Sequence, residues 1–139
     1  MILALLMLLA AAGPGAPPVE TYAEGQVWDY RTRPGEGDSL LKIQRIETPN
    51  PAFDDGGPIF HITIAGARFR DSTLGGLVGH APVSRETLDA SVTRLRANPP
   101  VFPSADDGIA EWRRARGGVF TIPVREILDL VDGIPTSAP

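Results

Sequence analysis

The sequence predicts an α+β domain: an antiparallel sheet of about four to five strands with three helices, in the order β-β-β-β-α-α-β-α. Three observations predict it. Apolar side chains recur at every second position through the first half of the chain, the period of a half-buried strand. From Ser84 onward they recur at three- and four-residue spacing, the period of an amphipathic helix. Clusters of Gly, Pro, Asn and Asp separate the runs, and strands grouped ahead of helices favour a sheet with its helices gathered on one face.

Each element has its own local signature. Gly25–Thr32 alternates, with Trp28 and Tyr30 on one face and Asp29 and Arg31 on the other. Arg33-Pro34-Gly35-Glu36-Gly37-Asp38 is a turn, and Leu40–Glu47 completes a hairpin. Leu41, Ile43 and Ile46 change parity, which predicts a bulge near Gln44-Arg45. Thr48–Gly57 is a loop. Ile59–Ala65 is a third strand, with Phe60, Ile62 and Ile64 opposite Ile59, His61 and Thr63. After a turn at Asp71–Gly76, Leu77–Val83 is a short fourth strand. Ser84 caps a first helix carrying Glu86 early and Leu88, Val92 and Leu95 as its stripe; Asn98-Pro99-Pro100 stops it. Ser104 caps a second, with Asp106 and Asp107 early and Arg113, Arg114 and Arg116 late, the charge order a helix dipole favours. Val119–Ile122 is a short strand. Pro123 occupies the first position of a last helix with Val124, Ile127, Leu128 and Val131 inward and Gly133 just past its end.

Ile2–Ala12 is apolar and uncharged, and a Gly/Pro break follows it. A helix needs about 20 such residues to span a bilayer, so the run fits the core of a signal peptide, with Ala10-Ala11-Ala12 offering small residues for cleavage. The expected organisation is a signal peptide and processing region at 1–16, a disordered lead-in at 17–24, one domain at 25–133 and a disordered tail at 134–139. Export, with no stable membrane span after processing, follows from that leader. Were the leader retained, the alternative is a cytoplasmic interaction or immunity-type protein. The chain has 139 residues, no cysteine and a formal net charge of −4. Disulfides and Cys-based zinc sites are thereby excluded, and the acidic balance argues against nucleic acid as partner. No cofactor motif is present.

The residues that could carry chemistry are few. Arg31, Arg33, Glu36 and Asp38 surround a turn stiffened by Pro34, and arginine forks recognise carboxylates and phosphates. With His80 they form the candidate site for an unknown small ligand or protein partner. The same turn also reads as a solvated loop with internal ion pairs. His61 and His80 are the only histidines. Either could serve a small hydrolase or metal-assisted enzyme, with Asp71 between them in sequence, but no metal-binding spacing supports that. Ser84 lacks a nucleophile elbow, and capping accounts for it. Trp28 and Trp112 read as core.

Three stretches taken together, Glu24-Gly25-Gln26-Val27-Trp28-Asp29-Tyr30-Arg31-Thr32-Arg33-Pro34-Gly35-Glu36, Gly79-His80-Ala81-Pro82-Val83-Ser84 and Gly118-Val119-Phe120-Thr121-Ile122, resemble a family of small uncharacterised bacterial proteins. The resemblance covers about Glu24 to Asp132. It implies a single compact domain and assigns no catalytic residue. The functional expectation is a non-enzymatic exported domain that binds a ligand or protein partner.

Overall fold

A computed structural model of the chain describes residues 21–48 and 57–134. The leader, the first part of the lead-in, most of the Thr48–Gly57 loop and the tail from 135 lie outside the described residues. Five strands form one antiparallel sheet: β1 (Val27–Tyr30), β2 (Leu40–Glu47), β3 (Ile59–Ala65), β4 (Leu77–Ser84) and β5 (Val92–Leu95). Their order across the sheet is β4-β3-β2-β1-β5. Three helices complete the domain: α1 (Arg85–Ser91), α2 (Asp106–Ala115) and α3 (Val124–Val131). The α+β class and the antiparallel sheet agree with the sequence.

The β1–β2 connection is built on Pro34 and Gly35. Glu36 N–H donates to Arg33 O, and Gly35 takes φ +82°, the left-handed third position of a type II turn. In β2 the register slips between Ile43 and Arg45 at the expected bulge. Ile43 and Ile46 consequently face the same side, opposite Ile62 and Phe60. Trp28, Tyr30, Leu41, Ile43, Phe60, Ile62, Ile64, Ala81 and Val83 form the main core with Leu88 of α1 and Val124, Ile127 and Leu128 of α3. Burial of each large apolar side chain there stabilises the fold by roughly 1.5–3 kcal/mol. Tyr22 joins this cluster and its hydroxyl donates to Asp89, so the fold begins before Gly25, inside the expected lead-in.

The structure departs from the expected order at three places. Helix α1 stops at Ser91, and Val92–Leu95 is strand β5 rather than two further helical turns. The reason is tertiary. The outer edge of β1 needs partners, and it finds them where Arg31 N–H donates to Ser91 O and Arg96 N–H to Val27 O. The β-branched Val92 and Thr93 suit that role. Conversely, the expected strand Val119–Ile122 contracts to one parallel bridge at Phe120, which bonds Pro82 O and Ser84 N. Finally, α2 does not join the other helices. It covers the opposite face of the sheet, where its Trp112 meets His61, a residue pointing away from Phe60 and Ile62. Local capping largely follows the sequence. Ser84 Oγ accepts from Thr87 N–H, while Ala105 is the α2 cap and Ser104 Oγ accepts from Asp106 N–H. After α3, Gly133 and Ile134 donate to Leu130 O and Asp129 O, a Schellman ending.

Candidate functional site

The charged turn is an internal clamp. Arg33 meets both Glu36 oxygens through its Nε and Nη2, at 2.9 and 2.8 Å, and its Nη1 reaches Asp129 at 3.1 Å and Asp132 at 2.8 Å on the α3 side. Glu36, only 2% exposed, also accepts from Arg68 N–H at 2.6 Å. Glu36 first, then Asp132 and Asp129, hold the Arg33 charge well above its ordinary pKa. Burial pushes the Glu36 carboxyl up, but Arg33 and the Arg68 N–H outweigh it and hold it below the usual carboxylate range. Ser39, also buried, links the Tyr30 hydroxyl to Ala65 O. The clamp therefore joins the hairpin turn, the β3–β4 connection and the end of α3. Asp38 is exposed, and Arg31 lies elsewhere, its guanidinium donating to Ala90 O beside the start of β5.

His80 is not part of that cluster. Arg33 binds acids of α3 on one side of the sheet, whereas His80 lies under α2 on the other. Two bulges place it there. Gln44 is the extra residue of β2, and Gly79-His80 stand opposite Thr63 alone between the Ile62–Ala81 and Ile64–Val78 pairs. Buried Thr63 bridges both bulges, accepting from Gln44 Nε2 and donating to Gly79 O. The result brings His61 Nδ1 to 2.8 Å from His80 Nε2, with the rings stacked. His61 is fully buried, Trp112 stands edge-on at 4.9 Å, and Nε2 lies 3.3 Å from Glu47 Oε1 without hydrogen-bond alignment. Arg113 of α2 takes the same Glu47 oxygen. Gly108 of α2 lies against His80, where a Cβ would come within 2.5 Å of the His80 Cβ.

Burial lowers the His61 pKa; Glu47 opposes the shift, and Arg113 and Arg45 reinforce it. Burial and then His61 push His80 down to about 4. At neutral pH both rings are therefore uncharged. The geometry is a chain, carboxylate to imidazole to imidazole, with the ring nitrogens facing one another rather than converging on a point. Among the described residues no group of three or more His, Cys, Asp or Glu is placed to hold a metal ion. Asp71, the carboxylate considered with the histidines, instead accepts from Thr73 N–H and Thr73 Oγ1 at a short 3-10 turn. A base with its pKa near 4 is poorly matched to proton abstraction at neutral pH.

One solvent-facing feature was not legible in the sequence, because it depends on β5 being a strand. Within the described residues, β5 pairs only with β1. Arg94 and Arg96 straddle Asp29, at 3.1 and 3.4 Å, so two guanidiniums share one carboxylate. Leu95 points to the opposite face and is 47% exposed. An open hollow of about 380 Å³ is lined by Arg94, Leu95, Arg96, Ala97 and Asn98. Comparison of the chain with protein-family models, curated proteins and solved structures finds no match, so no family or relative bears on the site. No helix among the described residues is long and apolar enough to cross a membrane.

Proposed function

We propose that the chain is an exported, non-enzymatic domain that binds a protein partner, and that the partner adds an extended acidic segment alongside β5. The observation that carries this reading is the character of that edge. Arg96 N–H turns inward to Val27 O. The antiparallel alternation then directs the N–H and C=O of Leu95 outward, where an added strand could pair with them. Arg94 and Arg96 lie on one face with an excess of positive charge in a chain whose net charge is −4. Exposed Leu95 lies on the other. A segment alternating acidic and apolar side chains matches both faces at once. The same arginines oppose pairing of β5 with a second copy of itself. Arg31, from the sequence-predicted set, belongs to this edge; Arg33 and Glu36 serve the clamp.

The test uses the full chain and a synthetic Ser-Glu-Val-Glu-Val-Glu-Ser peptide, followed by amide NMR shifts. Shifts at residues 93–97 that weaken with added salt and vanish in an Arg94→Glu/Arg96→Glu variant are expected. No response there, or an equal response to the Lys counterpart of the peptide, overturns the proposal. Export is tested separately by the intact mass of protein from the native host, with loss of the leading segment expected.

A further inference from the structure

A different observation lies beneath α2 and does not rest on the β5 edge. We infer that the hydrogen-bonded His61–His80 pair is an acid-released latch: it holds α2 on the sheet while both imidazoles are neutral and lets it go when they take up protons. Electrostatics favours one tautomer: the Glu47 carboxylate 3.3 Å from His61 Nε2 favours the hydrogen on that nitrogen, although the pair is not aligned as a hydrogen bond. His61 Nδ1 then accepts and His80 Nε2 donates across the 2.8 Å contact. The open basic nitrogen is His80 Nδ1. It faces the first turn of α2, where a Cβ on Gly108 would lie 3.3 Å away. The first proton therefore arrives beside the first turn of α2, at the positive end of the helix dipole. A second proton would set two N–H groups against each other at 2.8 Å.

The surrounding charges relieve this only in part. From β2, Glu47 attracts a charge on either ring, and Arg45 opposes one on His61. From α2, Arg113 opposes it and already occupies Glu47 Oε1. Asp106 of the first turn is engaged by Arg45. Release is local because α2 contributes nothing to the main core cluster: its Ile109, with Phe102 and Ala105, is buried apart from it.

The sign follows from linkage. A histidine whose pKa is depressed in the closed state favours closure above its ordinary 6.5 and loses that contribution as pH falls toward the lower value. Partial exposure of His80 screens the effect, so α2 opening should rise at least tenfold between pH 7 and 4, toward a ceiling of about 100-fold. Hydrogen exchange at residues 109–113, corrected for intrinsic rates, measures it, with Ile43 and Ile62 as protected references. His80→Gln keeps a donor toward His61 and removes one of the two titrating rings, so its α2 exchange should rise with acid clearly less than in the native chain. The inference is overturned by an unchanged pH response in His80→Gln, by no response in the native chain, or by α2 and the core opening together. Should that variant not fold, NMR titration of the two imidazoles in the native chain decides: titration well below 6.5 supports the latch, and titration near 6.5 overturns it.

Discussion

Replacing Arg33 with Ala would strand Glu36. In the native domain this carboxylate is 2% exposed and is charged because Arg33 meets both of its oxygens and the Arg68 N–H adds a third contact. Breaking a buried pair by deleting one partner costs about 3–5 kcal/mol, because the remaining ion is left without solvent. The Arg33 side chain is 12% exposed, so water reaches the edge of the clamp, and the lower end, about 3 kcal/mol, is expected. That is a large share of the roughly 5–15 kcal/mol available to a domain of this kind. With a urea slope of about 2 kcal/mol/M, the unfolding midpoint should fall by about 1.5 M. The assay is urea denaturation followed by far-ultraviolet circular dichroism. It should be run as a cycle with Glu36→Gln, because neutralising Glu36 removes the stranded charge. The double variant should therefore lose at least about 1 kcal/mol less than the two single losses added together. A loss below about 1 kcal/mol in Arg33→Ala, with additive effects in the cycle, would refute the clamp and return Arg33 to the set of side chains available for binding.

Two further outcomes follow from the same geometry. Glu36 titrates below its ordinary 4.5, so the clamp stabilises above that pH and is lost as pH falls through the lower folded value; the difference in urea midpoint between the native chain and Arg33→Ala should shrink from pH 6 to pH 3. Gly108→Ala places a methyl 2.5 Å from the His80 Cβ; the overpacking cost of about 1–3 kcal/mol should exceed the helix-propensity gain of up to about 1 kcal/mol, giving a net loss in urea denaturation and shifted imidazole resonances of His80.

The parts of the fold that were legible are those set by short-range chemistry. The bulge in β2 was readable because Leu41, Ile43 and Ile46 cannot all face one side without an extra residue. Pro34-Gly35 and the Ser84 cap were readable because one or two side chains decide each. β5 was not, since Leu88, Val92 and Leu95 satisfy a helical period. What ends the helix at Ser91 is the unpaired edge of β1, a partner distant in sequence. Three-residue spacing puts Ile109 and Trp112 on one face of α2, but periodicity does not say which side of a sheet a helix will cover.

The candidate sites failed to be legible for related reasons. Arg33 and Glu36 read as recognition residues because Asp129 and Asp132 lie on and just past the last helix, and no local pattern shows four charges closing on each other. His61 and His80 looked independent because alternation alone sets only one of them. His61 faces α2 by its position in β3, but His80 does so only because Gly79 and His80 together oppose Thr63. One residue fewer in β4 would reverse the pleat at that point and break the contact between the rings. The pair is thus a property of two bulges on either side of β3, joined through Thr63. The same dependence explains the β5 edge: Arg94 and Arg96 share a face with Asp29 only after the helix has given way to a strand.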